Sequence, residues 1–305
     1  MAFTRNDLVE EVLLMCGGFL GDQELVGTLS GALTDSATTF TVTGSVFGDG
    51  AVSGFQPGVV EIDHELVYVG AVNPSTGVFS SCIRGFRGTT AAAHSSAAMV
   101  RDHPRVPRIQ VVRAINQTLA GLYPRLYGVA ETEITSTAGV YAYDVPATTV
   151  NVLGVAIQEP DLASAWCRSR KWSFVSNATT ESTTGKQVFV ADAWQGSTIH
   201  VTYAITPGTF SEVSGTNGDF ATVTYLPEWT RELVVLGAAY RLIGLLDAGR
   251  LAERTAEGDL LAQASPTGGA QKLGAFLYAQ FQERLASAEL QLRAQYDVGA
   301  VHYEW

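Results

Sequence analysis

The chain has 305 residues, 46% hydrophobic and 16% charged, enough apolar side chain for a sizeable core and too much for general disorder. Its formal charge of −11 speaks against a surface that wraps nucleic acid by neutralising phosphates, although not against one past which DNA slides. Cys16, Cys82 and Cys167 are odd in number, scattered and without a CxxC pair, so neither a disulfide framework nor a zinc site is expected, and a reducing cytoplasm is the natural compartment.

No membrane segment is expected. Glu10 and Glu11 interrupt the N-terminal apolar run, and Arg241 breaks the stretch from Leu233 to Leu246, which is too short to span a bilayer. The 31 glycines, with abundant Thr, Ser and Val, predict a large share of β-structure.

Thr4 to Cys16 reads as a first helix. Thr4 caps it with Asp7 at capping-box spacing, Leu8, Val12, Met15 and Cys16 form its apolar stripe, and Gly17-Gly18 stop it. The hydrophobic period then changes to two. Thr39 to Val42, Val59 to Asp63, Glu65 to Val69 and Val78 to Ile83 alternate as strands, with a turn at Asn73 to Gly77, predicting an antiparallel barrel-like or sandwich-like module.

Pro104 to Tyr123 is a second helix, seamed by Val112, Ile115, Leu119 and Leu122. Arg101, Arg105, Arg108 and Arg113 cluster at its start, where positive charge opposes the helix dipole. They read either as a solvated basic face or as inter-subunit contacts to carboxylates of a neighbouring chain. From Ala130 to Val223 the period of two returns, with Trp166 and Trp172 bracketing the basic Arg168 to Lys171, and a second β-sandwich is expected.

Pro227 to Asp247 is a third helix, apolar almost all round, whose Gly237 and Gly244 allow close approach of a neighbour. After a polar connector, Leu273, Leu277, Phe281, Leu285, Ala288 and Leu292 mark the seam of a long fourth helix that reaches Asp297. The terminal Val301, Tyr303 and Trp305 alternate like a strand, either folded back on their own domain or offered as an arm to another subunit.

The expected fold class is therefore α+β: a four-helix core carrying two inserted antiparallel β-modules. Residues 1–17 supply its first helix, 18–103 the first β-module, 104–127 the second helix, 128–225 the second β-module, 226–297 the third and fourth helices, and 298–305 a C-terminal arm.

Constellations for chemistry are weak. His64, His94, His103, His200 and His302 include no HExxH-like pair, and no GxSxG elbow is present. In Asp63-His64-Glu65, strand alternation sends adjacent side chains to opposite faces, which disfavours metal ligation. Arg84-Gly85-Phe86-Arg87-Gly88 lacks the Lys-Ser/Thr of a phosphate loop and reads as a structural turn with glycines at positive φ. Trp166, Trp172 and Trp194 fit a sandwich core better than a carbohydrate platform. No cofactor and no catalytic residue are assigned.

The strand pair Val60-Glu61-Ile62-Asp63-His64-Glu65 to Val69, followed by Ile83-Arg84-Gly85-Phe86-Arg87-Gly88-Thr89-Thr90-Ala91-Ala92-Ala93-His94, resembles a module of tailed-bacteriophage virion proteins. With the helical pattern and terminal arm, the chain is similar to the head-to-tail adaptor, or head completion, family. That resemblance implies an adaptor-like helical bundle and a non-enzymatic ring, usually of twelve subunits, in the virion neck. The ring would dock on the portal protein and on a stopper or tail-terminator protein, with viral DNA passing through it without sequence-specific binding. It also implies that Val301, Tyr303 and Trp305 anchor to the portal and that the long helix contributes to the ring. The alternative is a tail or neck virion protein with a carbohydrate- or host-surface-binding β-module; a third reading is a hydrolase using His64 or His94.

Overall fold

A computed structural model describes residues 3–17, 25–44, 54–158, 165–178, 180, 182–213, 217–243 and 269–296. Two compact units result. One comprises Met1–Thr118, Phe210–Asp219 and Glu232–Phe281, the other Leu119–Thr209, Phe220–Arg231 and Gln282–Trp305.

The first unit is built on a closed antiparallel barrel. Its strands are β1 (Val26–Leu29), β2 (Phe40–Thr43), β3 (Gly58–Ile62), β4 (Glu65–Asn73), β5 (Val78–Ile83) and β6 (Met99–Asp102), in the order β1-β2-β5-β4-β3-β6. Closure comes from β1 on β6, where Val26 faces Arg101 and Thr28 faces Met99. Alternation turns Val60, Ile62, Val67, Val69 and Val100 inward, around Phe79. Phe79 stacks on Phe40 at 5.1 Å and meets Phe55 edge-on at 5.5 Å.

Helix α1 (Arg5–Met15) starts with the capping box expected of Thr4 and Asp7. Its buried stripe is Leu8, Val9, Val12 and Cys16; Val9 takes the place expected for Met15, which is exposed. Helix α2 (Arg108–Leu122) begins after Pro107, four residues later than the start expected at Pro104. Helix α4 spans residues 231–243 and is apolar on nearly every side, with Leu233 to Leu236, Ala238, Ala239, Leu242 and Ile243 all buried. Gly237 lets it lie close to its neighbours: a Cβ there would fall 2.2 Å from Thr118 Cγ2 and 2.9 Å from Phe281.

The second unit carries a sandwich. One sheet orders β10-β9-β13-β7, namely Trp166–Arg168, Thr149–Gln158, Thr198–Ile205 and Gly128–Thr135. The other orders β11-β12-β8, namely Trp172–Val175, Gln187–Val190 and Ala142–Asp144. Tyr143, Val188 and Val190 from the smaller sheet pack with Val152, Val155, Ile157, Ile199 and Val201 from the larger. A short helix α3 (Phe220–Thr224) follows where strand was expected. Helix α5 (Gly269–Gln295) has the seam foreseen for it, with Leu277, Phe281, Leu285, Ala288 and Leu292 buried.

The expected fold class is corrected on one point of substance. Thirteen strands and five helices among the described residues make the protein mainly β, and it is not a four-helix core with β-modules inserted into it. The physical reason lies in where the apolar side chains go. Two of the hydrophobic clusters are made almost wholly of strand residues, one inside the barrel and one inside the sandwich, so the β-modules carry cores of their own.

Candidate functional site

Asp63, Glu65, Arg84 and His94 converge on the barrel of the first unit. Glu65 opens β4 on the same face as Val67 and Val69, so the strand period carries its carboxylate inward, out of contact with water. Five donors meet it there. Arg84 Nε and Nη2 approach at 2.8 and 2.7 Å, the backbone N–H groups of Gly85 and Ala92 at 2.9 and 3.0 Å, and His94 Nε2 at 2.9 Å. His94 Nδ1 lies 2.7 Å from Asp63 Oδ2. Arg84 continues to the carbonyls of Thr34 and Ala92, and Thr89 Oγ1 accepts from Leu66 N–H at 3.2 Å and donates to Phe86 O at 3.0 Å.

The turn between them needs left-handed backbone, and Gly85 and Gly88 supply it at φ 62° and 77°. At Gly85 there is also no room for a side chain, because a Cβ would sit 2.9 Å from Thr89 O. Asp63, in the two-residue turn that joins β3 to β4, takes φ 54° and thereby aims at His94.

Electrostatics follow from this geometry. Burial pushes the Glu65 pKa upward, but hydrogen bonds from His94, Arg84, Gly85 and Ala92 outweigh it and hold the group at about 2. Burial favours neutral His94, but hydrogen bonds and charge from Asp63 and Glu65 prevail and raise its pKa. Ionised carboxylates only accept, so a ring placed between two of them donates from both nitrogens. His94 is thus an imidazolium with no lone pair to offer. With Asp63, Glu65 and Arg84 it forms a clasp of two negative and two positive groups.

His64 stands apart from Asp63 and Glu65, and not for the reason expected: Asp63 and His64 form the turn between β3 and β4, outside the alternation of either strand. Its Nε2 lies 3.1 Å from Asn6 Oδ1, and its pKa falls to about 4 through burial and then the charge of Arg5, partly countered by Asp63. Among the described residues no group of three or more His, Cys, Asp and Glu side chains could hold a metal ion.

The four clustered arginines are placed as follows. Arg108 opens α2: its N–H donates to Glu61 Oε1 at 2.6 Å, its Nε meets Glu10 at 3.2 Å, and its Nη1 lies 3.5 Å from Glu61 Oε2. Arg113 Nε meets Glu212 at 2.9 Å. Arg101 is buried and faces Glu61 across β6 and β3, while Arg105 is exposed. Carboxylates of the same chain therefore meet Arg108 and Arg113, and the buried Glu61 sets negative charge at the N-terminus of α2. The sequence showed Glu61 only as a member of an alternating strand, with no role assigned to it. The available signal was a carboxylate between Val60 and Ile62 on a strand later covered by the helix start.

In the second unit the tryptophans separate. Trp172 packs on the sandwich core, whereas Trp166 and Trp194 are 44% and 69% exposed. Trp166 meets the His200 ring edge-on at 5.4 Å and flanks a groove of about 360 Å³ floored by Gly154 and Ala156. Val301, Tyr303, Trp305 and His302 lie outside the described residues.

No protein-family model matches the chain, and a search of curated proteins finds no match to it.

Proposed function

We propose that the chain is a structural, non-enzymatic virion protein of a tailed bacteriophage: a head-to-tail adaptor that forms a ring, docks on the portal and carries neck or tail proteins below it. The observation supporting this reading is the clasp. Asp63, Glu65, Arg84 and His94 of the motif with virion resemblance are each engaged with another of the four at the wall of a closed barrel, while Arg87 of the same motif lies over the Phe86 ring. Such a module is a rigid body for docking, with its polar groups committed to shape.

Helix α5 adds support, because Phe276, Tyr278 and Leu290 are large apolar side chains left exposed on it, as lateral packing in a ring requires. A chain of charge −11 also suits a channel through which DNA passes without being held. The role of Val301, Tyr303 and Trp305 as portal anchors belongs to this proposal.

The test is sedimentation of the full-length chain, and of a version ending at Asp297, with the portal of the same phage. Binding by the full chain that vanishes on truncation supports an adaptor with its contact in the terminal arm. Binding that survives truncation keeps the adaptor and removes the arm from it. Failure of both forms to bind overturns the role.

A second reading, a neck or tail protein whose sandwich binds glycans, is favoured by the exposed Trp166 beside its groove. It predicts retention on a glycan array that Trp166→Ala abolishes and portal binding that is absent.

A further inference from the structure

The larger sheet of the second unit ends on two strands that each have one open side. In the order β10-β9-β13-β7, neither β10 nor β7 has a further strand beside it among the described residues. Hydrogen bonds at the strand ends show which backbone groups look outward. Ser169 N–H donates to Val155 O and Ser136 N–H to Ser197 O, both inward across the sheet, while Val129 N–H reaches Tyr225 O on the other side of β7. Alternation then turns the N–H and C=O groups of Trp166 and Arg168 out from β10, and those of Glu131, Glu133 and Thr135 out from β7.

Charge separates these two edges. The register places Arg168, Ala156, His200 and Glu133 in one row across the sheet, so Arg168 and Glu133 stand on the same face at opposite edges. Both are exposed, as are Arg170, two residues on from Arg168, and Glu131, whose Oε2 lies 3.3 Å from His200 Nε2. Among the described residues Arg170 and Glu133 make no ion pair. Charged edges commonly protect a sheet from pairing with another chain. Here the protection is selective: two copies of β10 repel, as do two copies of β7, whereas β10 against β7 attracts.

We propose that the β10 edge of one copy of this chain pairs with the β7 edge of the next, continuing the sheet from subunit to subunit. This rests on the ring proposed above and names a contact within it. Different surfaces meet at every such junction, which is the heterologous geometry from which rings are built.

Direction and register follow from the sheet itself. Every pairing from β10 through β9 and β13 to β7 is antiparallel, so β10 also meets β7 of the next copy antiparallel. With Arg168 opposite Glu133 of the next copy, Arg170 falls opposite Glu131 and Trp166 opposite Thr135. A slip of two residues in either direction keeps only one of the two charge pairs, and a slip of one turns the side chains to the wrong face.

The experiment is sedimentation of the full-length chain over a range of concentrations, alone and with the portal. Arg168→Glu and Glu133→Arg each set like charges against one another at the junction. Each should raise the concentration needed for assembly roughly tenfold or more. An equimolar mixture of the two variants restores opposite charges wherever they alternate and should recover assembly, which a folding defect would not allow. A second measurement tests the register. Cys167, exposed and free, falls opposite Ile134 of the next copy in a non-hydrogen-bonded pair, with Cα atoms about 4.5 Å apart and within disulfide range. Ile134→Cys oxidised with diamide should give a ladder of linked chains, absent when Cys167→Ser is added.

Charge variants that assemble as the parent does, a mixture that fails to recover, or a folded Ile134→Cys chain without the ladder overturn the edge contact. Portal binding by the parent then still supports the neck role. Recovery by the mixture without any portal binding keeps the edge contact and overturns the neck role. A parent that stays monomeric both alone and with the portal overturns the edge contact.

Discussion

Glu65 and His94 face each other in a place where each has meaning only with the other. Both are buried and 2.9 Å apart, and each shifts the other's titration toward the charged form. Glu65 titrates at about 2, below its ordinary 4.5, so its contribution to stability is complete above pH 4.5 and is lost as pH falls through 2. His94 titrates above its ordinary 6.5, so its contribution is complete below 6.5 and is lost as pH rises through the folded value. Urea unfolding of the chain should therefore give a plateau of stability between pH 4.5 and 6.5 with a decline on the alkaline side. Glu65→Gln, which leaves Arg84 without its counter-charge, should cost about 3–5 kcal/mol at pH 6. His94→Gln should flatten the alkaline decline. An alkaline limb unchanged in His94→Gln would show that His94 is not the group that loses its proton there.

At the scale of elements, the sequence displays what is local and hides what is closed at a distance. The seam from Leu277 to Leu292 repeats every three or four residues, so it is visible in the chain itself, as is the capping box of Thr4 and Asp7. The motif from Asp63 to His94 is visible as a pattern, but the meeting of Asp63, Glu65 and His94 depends on β4, β5 and the turn after them folding into one barrel wall. Closure of that barrel through β1 and β6, with Gly27 opposite Val100, has no local signature at all. The four-helix expectation failed for this reason: helical stripes announce themselves one by one, whereas a barrel core is assembled from short strands far apart in sequence. Arg5 escaped notice likewise, and the meeting of His64 with Asn6 could not be read from the chain, since folding brings α1 to a turn more than fifty residues away.

Close helix approach was nevertheless readable at Gly237, and it gives an expected outcome. Gly237→Ala would set a Cβ 2.2 Å from Thr118 Cγ2, where a β-branched side chain on α2 has little freedom to turn aside. The gain in helix propensity from Gly to Ala is about 1 kcal/mol. Overpacking typically costs 1–3 kcal/mol, so the net effect should be a lowered midpoint of chemical denaturation. Thr118→Ser removes the methyl group that a Cβ would strike, and should restore most of the loss in the double variant. A midpoint raised by Gly237→Ala alone would mean that the helices are less tightly apposed than the structure has them.

For the whole molecule the balance to be explained is between two self-contained β cores and apolar surface left uncovered on a long helix. Leu290 and Phe276 are 69% and 55% exposed, although the seam of the same helix is fully used. Fully burying one such side chain stabilises by about 1.5–3 kcal/mol, which is small for a fold but large when a ring repeats the contact between every pair of neighbours. Leu290→Asp should therefore leave circular dichroism and the denaturation midpoint within about 0.5 kcal/mol of the parent, because the side chain is already in water. Assembly should respond differently. In the presence of the portal, the variant should sediment as a smaller complex than the parent at equal concentration, since each subunit would bring a charge into an apolar contact. The −11 charge of the chain adds to the effect, so raising the salt concentration should recover part of the lost assembly by screening like charges. A Leu290→Asp chain that assembles like the parent at low salt would remove α5 from the ring contact and leave its exposed residues without a role in the proposed neck.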